Sequence, residues 1–296
     1  MMNRVVVIGG LILLGFLFGC GESDTEFTGA SVPLYVTDTP GDEFPGVEIT
    51  LFSVKLCSDP GCAGTVTLYE NPAGRSIRLS ELDGVLQLLG FPLIPAGTYN
   101  RLEVTLDSVA LVTDGAGNTH DAYFDPETEN LNKPNVVLCP PELPGRCQIR
   151  FNGAVQPFAM GRLVVDFVLK DFEIESQPCP GVPDAASWCI TEVKMHPLTP
   201  ADMDDFDNGP DFKITGTVSA VLPTHVLILS GGMEYALFLT GTTKCEINGT
   251  EVVGSEACLA NLVAGMCVEV ETPDDPALGA ALEAREIETE ESSDCQ

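Results

Sequence analysis

Eleven cysteines in 296 residues constrain this chain more than any other feature. Cys20 closes an apolar N-terminal run and stands apart. Ten remain: Cys57, Cys62, Cys139, Cys147, Cys179, Cys189, Cys245, Cys258, Cys267 and Cys295. An even number in an exported chain predicts disulfides, although sequence alone leaves the connectivity open. Cys57/Cys62, Cys139/Cys147 and Cys179/Cys189 each flank a stretch rich in Gly, Pro or Asp, so three short loops read as stapled at their bases. Among the last four, Cys245 with Cys258 is the first choice, which leaves Cys267 for Cys295. The competing chemistry is zinc, but no pair has C-x₂-C spacing and no His lies at a ligand interval. Cys-x-x-Cys redox motifs and c-type haem attachment are missing for the same reason.

The export signal itself is legible. Met1 to Arg4 is a short positive start, and Val5 to Phe18 is an apolar run of 14 residues. That length suits a signal-peptide core of roughly 7–15 residues and falls short of the about 20 needed for a membrane span. The run ends in Leu17-Phe18-Gly19-Cys20, which resembles the bacterial lipobox, with Phe18 bulkier than the usual residue there. The resemblance implies cleavage after residue 19, lipidation of Cys20 and a polar tether over residues 20–30. The simpler alternative is a secretory signal whose Cys20 pairs with another cysteine. Acyl chains on Cys20 would supply more than the two signals a stable anchor needs. The expected location is therefore the cell envelope, at the periplasmic or surface face of an outer membrane.

Charge removes one class of partner. With Lys+Arg 14 against Asp+Glu 44, the formal net charge is -30, and nucleic acid is excluded because its phosphates must be neutralised by basic side chains. The same charge repels an anionic lipid surface, so contact with the membrane is expected only through the anchor.

Residues 31–198 read as an all-β domain of short alternating runs punctuated by Gly and Pro. Leu102, Val104 and Leu106 alternate with polar residues, as do Leu163, Val165 and Phe167 around theirs. Between Val47 and Leu56 the apolar phase changes, which requires a β-bulge near Leu51 or burial of both faces. Ser80 to Leu89 is the one helix-like stretch, with Leu82, Val85, Leu86 and Leu89 at three- and four-residue spacing before Gly90. Residues 199–212 form an acidic linker containing Asp202, Asp204, Asp205, Asp207 and Asp211. Residues 213–290 then read as a small β-barrel domain, with a hairpin at Asn248-Gly249, a helical turn within Ala257 to Val263 and a closing strand from Leu282. Residues 291–296 are a tail. The fold class is all-β: a Greek-key-like sandwich followed by a small barrel, with disulfide-stapled loops.

Leu34-Tyr35-Val36-Thr37-Asp38-Thr39-Pro40, then Val47 to Leu56, Leu79-Ser80-Glu81-Leu82 and Pro95-Ala96-Gly97-Thr98-Tyr99 with Arg101-Leu102, resembles the prokaryotic envelope family called domain of unknown function 4382. That resemblance implies a lipid-anchored or secreted β-sandwich and carries no established activity. The chain departs from the family in its stapled loops and in the segment from Asp125 to Met160. Residues 214–288 are similar to a second uncharacterised family, of small exported β-barrel domains.

Catalytic signatures are scarce. His120, His196 and His225 are the only histidines, and no G-x-S-x-G, H-E-x-x-H or G-x-G-x-x-G occurs. Calcium is the one cofactor with candidate ligands, because Asp38, Asp42 and Glu43 flank Pro40-Gly41 and hard ions take carboxylate oxygen. Those residue types equally make an ordinary turn. The cluster from Asp202 to Gly209 fails as an EF-hand, since Phe206 would fall on a ligand position. Trp188, beside Cys189, is a sugar-stacking candidate or simply packs on its disulfide. The expected function is a non-catalytic binding or structural module whose ligand is an envelope protein, a polysaccharide or a divalent cation. The alternative is a lipid-anchored hydrolase, Ca-dependent through Asp38 to Glu43. Oligomeric state is left open.

Overall fold

The structure is a computed structural model and describes residues 29–39, 44–59, 62, 64–127, 131–182, 186–202, 210–290, 292 and 294–295. The chain begins with β1 (Gly29–Ser31), β2 (Leu34–Asp38), β3 (Gly46–Cys57), β4 (Thr65–Arg78), β5 (Val85–Gly90) and β6 (Leu93–Pro95). There follow β7 (Tyr99–Asp107), β8 (Val109–Thr113), β9 (Thr119–Phe124), β10 (Asn135–Leu138) and β11 (Arg146–Val155). The first unit ends with β12 (Leu163–Phe167), β13 (Glu173–Glu175), β14 (Trp188–Glu192) and β15 (Met195–Pro197).

One sheet of this sandwich runs β10-β11-β7-β3-β8-β9-β14-β13, with β4 also on β3, and the facing sheet runs β15-β12-β2-β5. Alternating side chains from both, including Val54, Leu102, Val104, Leu34, Val36 and Val165, fill the core between them. The phase change in β3 is a register shift between Leu51 and Ser53, seen against both β4 and β7.

The helix expected over Ser80 to Leu89 is not formed. Leu79–Glu81 make a single 3₁₀ turn, Gly84 sits at φ +70°, and β5 follows in extended form. The reason is burial on both sides. Leu86 and Leu88 face one core while Leu89 faces the other, so the strand reads as a continuous apolar run that mimics helical spacing.

The second unit contains β16 (Asp211–Val221), β17 (His225–Ser230), β18 (Met233–Ile247), β19 (Thr250–Val253), α1 (Ser255–Asn261), β20 (Cys267–Thr272) and β21 (Ala281–Thr289). Its first strand starts at Asp211, inside the segment read as linker. Strands β16-β17-β18-β21-β20 return to β16 through an antiparallel pairing from Phe212↔Thr272 to Thr217↔Cys267, closing a five-stranded barrel. The β18–β21 pair is parallel and α1 lies between the third and fourth barrel strands, the connectivity of an OB-type Greek-key barrel. Asn248 (φ 52°) and Gly249 (φ 74°) form the hairpin joining β18 to β19, as two positive φ values in a two-residue loop require.

The two units share a sheet. The first residues of β16 pair in parallel with β5, from Asp211↔Val85 to Ile214↔Leu88. Tyr35, Leu86, Leu88 and Val164 of the sandwich are buried in the barrel core beside Phe212 and Ile214. The Tyr35 hydroxyl crosses the junction to donate to Asp275 Oδ1 at 2.7 Å, and Arg162 pairs with the other oxygen at 2.7 Å. Burial and the Asp275 carboxylate together push the Tyr35 hydroxyl well above its ordinary range.

Five disulfides join Cys57–Cys62, Cys139–Cys147, Cys179–Cys189, Cys245–Cys258 and Cys267–Cys295. Among the described residues no helix is long and apolar enough to cross a membrane. The disulfides fit an extracytoplasmic protein.

Candidate functional site

A polar concavity lies at this junction, on the face of the shared sheet opposite the barrel core. Alternation creates it. On β16, Phe212 and Ile214 enter the barrel core, so Lys213 and Thr215 point the other way. Register brings Gln87 beside Lys213 on one flank and Glu269 beside Thr215 on the other. Strands β3 and β4 form the opposite wall, where Glu48 pairs with Arg78 and Thr50 with Ser76. Gly74, at φ +84°, lets β4 pass close to β3, since a Cβ there would lie 2.5 Å from Thr50 Cγ2. The C-terminal residues Glu290 and Asp294 complete the rim. The cleft encloses about 290 Å³.

Its polar groups form a connected set. Arg75, 5% exposed, donates from Nη1 to Leu88 O at 3.3 Å and from Nη2 to Thr215 Oγ1 at 2.5 Å, tying β4 to both β5 and β16. Gln87, 3% exposed, donates to Glu269 Oε2 at 2.7 Å. Lys213 Nζ lies 2.9 Å from Glu269 and 3.3 Å from Glu81. Burial alone would lower the Lys213 ammonium, but those two carboxylates outweigh it and raise it. Arg78 reaches Glu48 at 3.7 Å and Glu81 at 3.5 Å. Glu290 is pushed up to about 7 by burial and then by Glu269, with Asp294 and Glu288 adding to the rise and Arg78 opposing it. Two deeply buried atoms, Arg75 Nε and Gln87 Oε1, have no hydrogen-bond partner among the described residues.

The residues singled out from sequence are placed elsewhere. Asp38 ends β2 and is 4% exposed, with Oδ1 accepting the Leu169 backbone N–H at 3.0 Å, so it holds the 3₁₀ turn after β12. Burial raises its carboxyl to about 8, with Asp166 and Asp83 contributing and the Leu169 hydrogen bond opposing. Asp42 and Glu43 lie outside the described residues, as do Cys20, Asp204, Asp205 and Asp207. Among the described residues no three His, Cys, Asp or Glu side chains converge to hold a metal ion. Asp202 accepts both the backbone N–H and the hydroxyl of Thr199 at 2.6 and 2.7 Å, as a turn residue does.

Trp188 stacks on His120 with centroids 4.3 Å apart and meets the Phe44 ring edge-on, beside the Cys179–Cys189 bridge. His120 is 3.1 Å from Asp114, and His225 stacks on Phe238 in the barrel at 5.1 Å. His196 lies 3.9 Å from Asp166, whose carboxylate accepts the Thr39 hydroxyl at 2.9 Å. There the carboxylate, rather than the imidazole, holds the hydroxyl, which reverses the nucleophile, base, carboxylate order of a hydrolytic triad.

Comparison with known proteins adds a family for the sandwich. Residues 29–174 match the family described as Domain of unknown function (DUF4382). This chain carries a DUF4382 domain. The match ends within β13, so strands β14 and β15, which belong to the two sheets of the sandwich, lie beyond it, and the barrel follows. No curated protein and no solved structure matches. The cleft residues Arg75, Gln87, Lys213, Glu269 and Glu290 carry no motif. Their only sequence signal is alternation in Phe212-Lys213-Ile214-Thr215 and Val268-Glu269-Val270-Glu271, which marks a polar face without showing that β4 covers it.

Proposed function

We propose that this protein is a lipid-anchored, non-catalytic binding module of the bacterial envelope, and that its ligand seat is the cleft between the DUF4382 sandwich and the barrel. The observation that carries this reading is the composition of the cleft. Two folded units contribute opposing charged walls to one concave space, while buried Arg75 and Gln87 in its lining retain unused hydrogen-bonding capacity. Ligand sites favour such inter-unit crevices with a few converging polar groups, and the volume is at the small end of the roughly 300–1,000 Å³ usual for them. The dispersal of the three histidines over β9, β15 and β17 supports binding over catalysis. Anchoring through Cys20 rests on the signal and its lipobox-like end.

Two measurements test the reading. Cells expressing the full chain and fed radiolabelled palmitate should label it, and Cys20→Ser should abolish the label. Screening the purified chain in detergent against small polar compounds should give hits that Ala73→Trp, a substitution at the exposed cleft rim, eliminates. Hits that bind Ala73→Trp as well as wild type would place the ligand elsewhere and end this proposal.

A further inference from the structure

A second polar cluster lies on the outer face of the sandwich, outside the lining of the cleft. Val54 and Leu56 of β3, Leu102 and Val104 of β7 and Ile149 of β11 point into the core, so Lys55, Arg101, Glu103, Arg150 and Asn152 point outward. Register sets them in two rows: Lys55, Glu103 and Arg150 in one, and Cys57, Arg101 and Asn152 in the next. Three cations meet one carboxylate across these rows, in a chain of net charge -30. That carboxylate is committed to β11, since Glu103 accepts from Gln148 Nε2 at 3.0 Å and from Arg150 Nε at 2.8 Å.

The other two cations keep donors to spare. Glu103 stands opposite Lys55, and Glu70 stands opposite Ser53 two residues along β3, yet neither makes an ion pair with the Lys55 ammonium among the described residues. Arg101 donates from Nε to Asn152 Oδ1 at 2.9 Å and from Nη1 to Cys62 Sγ at 3.7 Å, against the first stapled loop, and has no ion pair within 4.0 Å among the described residues. Its Nη2 and the Lys55 Nζ are unused donors on half-buried side chains, and neither nitrogen is shut off from solvent. Burial and then Arg150 lower the Arg101 guanidinium, with Glu103 and Asp59 opposing. At Arg78 in the cleft the surrounding carboxylates outweigh burial instead and raise it. Acidic neighbours thus saturate the cleft arginine but not this one.

We infer that Lys55 and Arg101 form a second ligand site, an oxyanion seat for a small molecule bearing one carboxylate or phosphate group. Diagonal neighbours on adjacent strands lie about 7–8 Å apart, so one oxyanion between these two long side chains takes an N–H from Arg101 Nη2 and another from the Lys55 ammonium. Asn152 and the Cys62 sulfur hold the guanidinium in place before any ligand arrives, which lowers the cost of binding. The site shares no residue with the cleft and does not depend on its occupant. Charge limits the ligand. A polyanion would run out over a surface that is negative overall and be repelled, so the seat takes a single anionic group on an otherwise neutral body.

The test is calorimetric titration of the full chain in detergent, in a low-salt buffer free of carboxylate and phosphate, with sodium glucuronate, inorganic phosphate and glucose. Glucuronate, phosphate or both should give saturable heat, and glucose, of similar shape to glucuronate without the charge, should give none. Lys55→Gln and Arg101→Gln should each weaken binding about tenfold, Lys55→Arg should keep it within about threefold, and Ala73→Trp in the cleft should leave it intact. Because Lys55 makes no polar contact among the described residues, Lys55→Gln should leave the melting temperature of the unliganded chain unchanged, which separates loss of the seat from loss of the fold. Raising the salt from about 20 to about 200 mM should weaken binding severalfold. Heat from glucuronate alone would name an acidic sugar as the source of the oxyanion, and heat from phosphate alone a free or esterified phosphate. Silence of both anions, equal binding of glucose, anion binding that Lys55→Gln and Arg101→Gln leave unchanged, or anion binding that Ala73→Trp removes would each overturn the seat.

Discussion

Strand β5 meets the barrel on one face and the cleft on the other, and the two faces behave as opposite kinds of interface. Leu86 and Leu88 point into a dry core shared with Phe212 and Ile214, whereas Gln87, between them, points to a wall of charges. The dry face joins two units by burial of apolar area, which is non-directional and tolerant of detail. The wet face joins them by hydrogen bonds and ion pairs that are individually weaker and chemically specific. One strand thus carries an apolar interface on one face and a polar one on the other, and substitutions on its two faces should have separable effects.

The largest effect is expected from the dry face. Leu88→Ala should cost about 2–5 kcal/mol, the range for truncating a buried leucine. Because Trp188 is the sole tryptophan and belongs to the sandwich, its fluorescence and far-UV circular dichroism should both shift to lower urea. A fluorescence transition that stays in place while the dichroism moves would show that the units are not coupled through β5. Arg75→Ala should come next, at about 2–3 kcal/mol, since it removes charge-assisted hydrogen bonds that bridge β4, β5 and β16.

Titration sharpens the contrast at smaller scale. Asp38 is held up near 8 in the sandwich and Glu290 near 7 at the cleft, each above its unfolded value. A carboxyl with a raised folded pKa favours the fold while protonated. That contribution is complete below about pH 4 and is lost as pH climbs through 7 and 8. Melting temperature should therefore fall between about pH 5 and pH 8.5, and Asp38→Asn, which keeps an acceptor for Leu169, should flatten the fall. A melting temperature that rises across this window would contradict the burial assigned to both carboxyls. Ala73→Trp should change stability least, within about 0.5 kcal/mol, because the site is exposed. A loss several times larger by urea denaturation would mean the rim supports the fold.

The same division explains what could be read before the structure. Alternation in Leu102-Glu103-Val104 and Val268-Glu269-Val270 is a local property, and it identified strands, a sandwich and a barrel. Cysteines flanking short loops found partners across them because small loops leave little geometric choice. The sequence of β5 reads as a helix because burial on both faces erases the period of two. The cleft was invisible because its residues come from six separate elements and acquire meaning only when β4 crosses over β16. Asp38 stands beside other carboxylates in sequence, yet its position at the end of a strand buried on both faces makes it a cap for the Leu169 turn.

The Cys267–Cys295 bridge fastens the chain end to β20, beside the Glu290 amide that donates to Cys267 O. That bond forms only where thiols oxidise. The acidic rim of the cleft is therefore complete only in an oxidising compartment. In a reducing compartment the chain has every residue of the cleft but lacks the covalent tie that holds the segment after Glu290 against β20.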